Sequence, residues 1–309
     1  LESYSDGINF YIKQISKDSL GRGSPEFFLF TSEIAPWRPA DSIALLKLLA
    51  FQSTDKAEIE ILRTRILLSG ISPKRYEDLF LEPPFIKDRE NKIISYLRNF
   101  KFPVHQHFTN KKVDNQLRNI ILNGSFNASN VFAVMPFRSA TGHVLAASDP
   151  HAILTAPSNF MLVNLQLANG FITGGTIPGI PAVIIGKSKQ FGWGVSSASI
   201  DDQDLYIEKL NSENNSEYFA KQGLKKFKEK YEIIKVKDQN SVTLKIKNTK
   251  NGPVLTSNLL GAHLIRPKGH AISLKWTGLS NDDRSIEALI KLMQSKTISE
   301  AKKNLPLLK

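Results

Sequence analysis

The sequence predicts an α+β protein. Three observations carry this: helical apolar spacing in the first third, a central run of short apolar segments punctuated by glycine and proline, and helical spacing again at the end. Strands and helices do not alternate as they would in a parallel βαβ protein. At 309 residues and 41% hydrophobic content the chain can bury a sizeable core, as one large domain or two average ones.

Taken in order, Pro25, Pro36 and Pro39 punctuate the region before the first periodic segments. Asp41 to Gly70 then carries apolar positions at helical spacing in SIALLKLLAF and AEIEILRTRILL, so two helices are expected, with Gly70 as the stop. From Glu82 to Asn127 the pattern weakens into charged, proline-marked sequence, which reads as a mobile or removable segment. After Ser129 the runs NVFAV, HVLAAS, FMLVNLQL, PAVIIG and FGWGVSS read as strands at hairpin spacing. The alternation in YEIIKVKDQNSVTLKIKN reads as an antiparallel hairpin around an asparagine-centred turn. The final DDRSIEALIKLMQSKTISEAKKNL returns to amphipathic helix.

Composition removes several function classes. The 41 Lys and Arg against 29 Asp and Glu give a net charge of +12, which raises the question of an anionic partner. Much of that excess lies in Lys221 to Lys237 and Phe108 to Asn119, where charged and apolar residues alternate as on a solvated face. No basic-aromatic RNA motif or helix-turn-helix pattern accompanies it, so no nucleic-acid partner is expected. The absence of cysteine excludes disulfides, thiolate metal sites and cysteine nucleophiles. No apolar run approaches the ~18 residues a membrane span requires. The opening LESYSDGINFYIKQ has neither the basic start nor the apolar centre of a secretion signal. With no initiator methionine, it reads as the start of a mature or trimmed product.

The stretch from Asn127 to Ala152, NASNVFAVMPFRSATGHVLAASDPHA, sets Ser129 between alanine and asparagine before a strand-like run that closes on Asp149-Pro150-His151. Taken alone it is a β-hairpin with polar ends, and a lone serine is usually a solvated or capping residue. Behind it, however, come GGTIPGIPAVIIGKSKQFGWG and DDQDLYIE in order. This ordered set resembles the penicillin amidase family of N-terminal nucleophile hydrolases. The likeness extends over nearly the whole chain, through YSDGIN, APWRPADSIALLK, EILRTRIL, NGPVLT and LKWTGL.

The resemblance implies an αββα four-layer sandwich, two antiparallel sheets between helices, and a precursor that cuts itself immediately before a serine. It divides the chain into residues 1–86, a mostly helical α-chain part; 87–128, a spacer before the cut; and 129–309, the first part of a β-chain that opens on the catalytic serine. The product is an α/β heterodimer. The chemistry explains the cut: a hydroxyl is a poor nucleophile until its proton is taken, and an α-amine of ordinary pKa about 7.7–8.0 is partly neutral near pH 7. One residue then supplies nucleophile and base. The family pattern of a following asparagine and a nearby aromatic is met by Asn130 and Phe132 after Ser129, whereas Ser125 is followed by Phe126. Ala128 stands where the family most often has glycine.

The resemblance places His151 beside the nucleophile as an orienting group; the alternative is a histidine that only bonds backbone. It places one oxyanion donor on the backbone N–H four residues after Trp193, at Ser197. The second donor, an asparagine side chain, is expected beyond Lys309. DDQD reads as a solvated turn by itself, but the family binds structural calcium there, which implies ligands at Asp201, Asp204, the Gln203 carbonyl and Glu60, with Glu58 the alternative to Glu60. The TIPGIP segment has a packing explanation as a tight turn. In the family it borders the acyl pocket, so Ala152 and Ile185 are expected to line that pocket and Leu48, Phe51 and Gln52 to form its lid. The implied activity is hydrolysis of a linear amide, a small-molecule substrate such as a penicillin, a cephalosporin or an N-acyl-homoserine lactone, in the bacterial periplasm or outside the cell. The alternative is a catalytically incompetent fragment or degenerate homologue that acts as a binding domain.

Overall fold

The computed structural model describes residues 1–17, 34–79, 97, 99–100 and 128–309, apart from 153, 157, 169, 199, 257 and 258. Nearly all of the expected spacer, with Ser125, lies outside the described residues. Every strand pairing among the described residues is antiparallel, and helices precede and follow the strands, as the α+β reading expects. The chain packs as two compact units, one from Leu1–Ser53, Leu122–Ser199 and Ser280–Lys309, the other from Thr54–Ile121 and Ile200–Leu279.

In the first unit, α1 (Glu2–Ile15) and α2 (Pro39–Gln52) are joined by a reciprocal amide clasp. Asn9 Nδ2 donates to the Trp37 carbonyl at 2.8 Å, and the Trp37 N–H donates to Asn9 Oδ1 at 2.7 Å. The Trp37 indole N–H donates in turn to the buried Ser42 hydroxyl. Helix α1 carries no helical expectation from sequence, and its Tyr4 and Asn9 explain the YSDGIN motif by packing. The Tyr4 hydroxyl accepts the Gly179 N–H at 3.1 Å at the TIPGIP turn. Gly179 follows Pro178 with φ +96, and a Cβ there would stand 2.6 Å from Leu45 Cδ2 of α2. Asn9→Ala would strand both Trp37 backbone groups in a half-buried position. We expect a loss of about 1–3 kcal/mol, read as a lowered midpoint in chemical denaturation.

The strands of this unit form a ribbon and a sheet. The ribbon pairs β1 (Ala128–Val134) with β2 (Leu145–His151), and the four-stranded sheet runs β3 (Met161–Leu167), β4 (Gly170–Thr176), β5 (Val183–Ser188) and β6 (Gly192–Trp193). The strand expected over FGWGVSS stops at Trp193, so the following residues keep their backbone groups out of any ladder. The expected C-terminal helix is two helices, α5 (Ser285–Gln294) and α6 (Ile298–Asn304). The break has a local cause: Thr297 Oγ1 caps the second helix by accepting the Glu300 N–H. Buried Ile172, Ile180, Val183, Ile286 and Ala288 supply the core.

The second unit holds α3 (Lys56–Leu68) and α4 (Pro73–Leu79), with α3 ending just before Gly70 as expected. Its strands are β7 (Gln203–Lys209) paired with β13 (His270–Trp276), the hairpin β8 (Glu217–Ala220) with β9 (Gly223–Lys226), and β10 (Lys228–Ile234), β11 (Val242–Thr249) and β12 (Gly252–Pro253). The expected hairpin is β10–β11, with Ile234 opposite Val242; Asp238, not the asparagine, takes the positive φ of 57. The lysines between Lys221 and Lys237 are exposed. Buried Glu208 accepts from Asn251 Nδ2 at 2.9 Å and from the Ser273 hydroxyl at 2.8 Å, which gives NGPVLT a packing role. Among the described residues no helix is long and apolar enough to cross a membrane.

Candidate active site

Ser129 is the second residue of β1, opposite Pro150 in β2, while His151 lies opposite Ala128. Directly opposed residues share a face of an antiparallel ribbon and successive residues alternate. Ser129 and His151 therefore face opposite sides of the uncut ribbon. His151 Nε2 stands 3.2 Å from Asp149 Oδ2, the residue two places before it in β2. Ala152 is half-buried just past the strand end, where its N–H donates to the Pro150 carbonyl.

On the Ser129 face the irregular run after β6 supplies two partners. The Ser197 N–H donates to Ser129 Oγ at 3.1 Å, and the Ser129 hydroxyl donates to Ser196 Oγ at 3.1 Å. That N–H reaches Ser129 because β6 ends early, whereas a ladder would have consumed it. Trp193 anchors the run: its indole N–H donates to the Val183 carbonyl at 3.1 Å, and it pairs with Gly186 in β5. Gly194 then crosses the ribbon so closely that a Cβ would meet Ser148 Cβ and Oγ at 2.8 Å and Val131 Cγ1 at 3.0 Å. Val131 and Ser148 are themselves a directly opposed pair of the ribbon. The arrangement places the Ser129 hydroxyl with one backbone N–H donating to it and one hydroxyl accepting from it. Ser196 was not among the residues expected from sequence, because nothing in a single serine of a strand-like run marks it.

The expected pocket residues lie in the same unit. Ile185 is half-buried in β5 opposite Gly175, at the edge of an irregularity in the β4–β5 register. Leu48, Phe51 and Gln52 occupy the last turn of α2, with Leu48 half exposed and the other two half-buried.

In the second unit the expected metal ligands gather where α3 meets the start of β7. Glu60 Oε2 accepts the Leu205 N–H at 2.9 Å. Burial, followed by the charges of Asp204 and Asp201, pushes the Glu60 carboxyl up to about 7. Gln203 Oε1 accepts the Ala57 N–H, and its side-chain amide nitrogen is buried without a partner. Asp202, the member of DDQD left out of the expected ligand set, is held by Thr54 and by the Trp276 indole of LKWTGL. Glu58, the alternative to Glu60, lies in the first turn of α3. The oxygen-only donor chemistry fits a hard dication. Among the described residues, however, no group of three or more His, Asp or Glu side chains closes far enough to form a cage.

The Glu60 shift has a signed consequence. Its folded-state pKa is raised, so the folded chain holds the extra proton; that contribution is fully present below about pH 4.5 and lost as pH rises through about 7. Without added cation, stability is expected to fall by up to about 3 kcal/mol between pH 5 and pH 8. Glu60→Gln should flatten that slope, as read from denaturation midpoints at the two pH values.

The chain is similar to several known proteins. The chain is 30% identical over 179 residues to an acyl-homoserine lactone acylase, QuiP, of Pseudomonas aeruginosa, which covers 56% of this chain and 21% of that protein. It is 26% identical over 309 residues to the protein of that name from Pseudomonas fluorescens, covering 97% of this chain and 36% of the relative. It is 24% identical over 315 residues to a penicillin acylase 2 proenzyme of a Pseudomonas species, covering 97% of this chain and 37% of the relative. The chain thus spans about a third of the length of these full-coverage relatives. Among solved structures, a thermostable penicillin G acylase from Alcaligenes faecalis aligns with 49% of this chain and 26% of its own at 22% identity and a TM-score of 0.43. The penicillin amidase family model matches residues 1–309, from α1 through the Ser129 ribbon to the last helix, and the chain belongs to the penicillin amidase family.

Proposed function

We propose that this chain carries the nucleophile of a self-processing N-terminal serine amidohydrolase that cleaves a linear amide through an acyl-enzyme. The observation that carries this reading is the Ser197 N–H standing 3.1 Å from Ser129 Oγ in a chain that matches the penicillin amidase family throughout. Cutting between Ala128 and Ser129 frees an α-amine on the residue that bears the hydroxyl. That amine takes the Oγ proton as Oγ attacks the amide carbon. The Ser197 N–H supports the oxyanion, together with the asparagine that the family resemblance places beyond Lys309. The C–N bond then breaks, the leaving amine takes the proton, and water attacks the ester to release the acid and restore the hydroxyl. Removal of Ala128 also vacates the ribbon position opposite His151, which would bring its ring next to the new amine as an orienting group.

The relatives' names point to acyl-homoserine lactones and penicillins as substrate classes, with Ala152 and Ile185 lining the acyl pocket and Leu48, Phe51 and Gln52 over it. An aliphatic lining favours a fatty or small acyl group. The proposal includes the αββα sandwich, an α/β heterodimer after cutting, and a periplasmic or secreted location. It also includes a structural calcium held by Glu60, Asp201, Asp204 and the Gln203 carbonyl, which would neutralise carboxylates that otherwise repel one another. Added calcium should raise the denaturation midpoint at pH 8 and leave Glu60→Gln unmoved.

Intact-mass spectrometry of the full-length protein beside Ser129→Ala tests the core of the reading. Two chains in the wild type, one beginning at Ser129, with an uncut variant, support it. A wild type that stays whole under native conditions counts against it.

A further inference from the structure

Ser196 stands next to the expected oxyanion donor, yet nothing in the sequence pattern or in the family match gives it a task. Its hydroxyl accepts the Ser129 hydrogen at 3.1 Å, while the neighbouring Ser197 N–H donates to the same Oγ. The nucleophile oxygen is thus held from two sides by consecutive residues of one run. These two contacts cannot both persist through the reaction. When a substrate carbonyl oxygen becomes the oxyanion, it needs the Ser197 N–H that Ser129 Oγ now occupies. As the Oγ proton passes to the α-amine, the Ser196 hydroxyl turns its own hydrogen to Oγ, and this reversed bond is the contact that remains to hold Oγ over the scissile carbon. In the uncut chain its place is more demanding still, because the Ser129 nitrogen is an amide and offers no basic lone pair to fix the hydroxyl rotor.

We propose that Ser196 is a positioning residue for Ser129: its hydroxyl selects the Oγ orientation from which both self-cleavage and amide hydrolysis proceed. This inference rests on the amidohydrolase reading above. Ser196 is exposed and its hydroxyl bonds to Ser129 Oγ, so its removal should leave the fold intact. One neutral hydrogen bond lost from the reacting geometry corresponds to a rate change of about tenfold.

The test compares full-length wild type, Ser129→Ala, Ser196→Ala and Ser196→Thr. Cutting is followed by mass spectrometry over time, and turnover by kcat and KM on an N-acyl-homoserine lactone and on a penicillin. Ser196→Ala is expected to slow cutting and to lower kcat about tenfold with KM within about twofold, while Ser196→Thr, which keeps the hydroxyl, recovers to within about threefold. A cut and active wild type with an equally fast Ser196→Ala overturns this inference alone. Equal slowing by alanine and threonine also overturns it, since shape and not the hydroxyl would then matter. A wild type that is uncut and inactive on both substrates overturns the inference together with the reading beneath it.

Discussion

Ser129→Ala is expected to leave the full-length protein as one uncut chain and to lower amide hydrolysis by at least about 10⁴-fold. On the proposed mechanism alanine removes the oxygen that attacks the carbonyl carbon, and by blocking the cut it also keeps the α-amine locked in a peptide bond. Nucleophile and base are lost in one substitution. The variant should fold normally, because Ser129 lies near the end of a ribbon and its side chain bonds only to Ser196 and the Ser197 N–H among the described residues. Mass and turnover are read on the same sample. A variant chain that still begins at residue 129 would assign the cut to an external protease, and residual turnover near the wild-type rate would move the nucleophile elsewhere.

Gly194→Ala is expected to lower kcat by about 10²–10³, the cost of losing one oxyanion donor, with a smaller change in KM. The added Cβ would lie 2.8 Å from Ser148 Cβ and Oγ and 3.0 Å from Val131 Cγ1. Such separations force a shift, and the atoms in the way belong to an opposed pair of the ribbon that carries Ser129. Among the described residues the run after β6 has no ladder bonds to resist the shift, so the Ser197 N–H is the group expected to move off Ser129. Ser148→Gly removes both atoms at 2.8 Å, and the double variant should recover part of the lost rate, a coupling that independent sites would not show. Circular dichroism and the denaturation midpoint separate displacement of the donor from loss of the fold. An Ala variant with wild-type kcat would mean that the donor is not the Ser197 N–H.

Much of this molecule was legible before its structure. The periodic residues of α2 and α3, the β10–β11 alternation and the β1–β2 hairpin are local patterns, and local hydrogen bonding with one-sided burial reads directly from them. The resemblance carried by the Ser129, TIPGIP, FGWG and DDQD segments named the candidate site residues without any coordinates. Other features were hidden for physical reasons. Helix α1 is held by Asn9 reaching Trp37 and Tyr4 reaching Gly179, contacts that no window along the chain contains. The C-terminal periodicity continues across a break that one threonine cap decides. FGWGVSS has strand composition, but pairing ends at Trp193 and the freed backbone turns toward Ser129.

The sequence by itself determined the α+β class, the family and the identity of the candidate nucleophile, because apolar period, turn residues and residue order are properties of the chain taken one segment at a time. Only the tertiary structure decided what touches Ser129 Oγ, which face of the ribbon His151 takes and that Glu60 accepts the Leu205 N–H in a buried position. Those are contacts between residues far apart in the chain, and they are set by strand register, close backbone approach and burial, which exist only once the segments have packed.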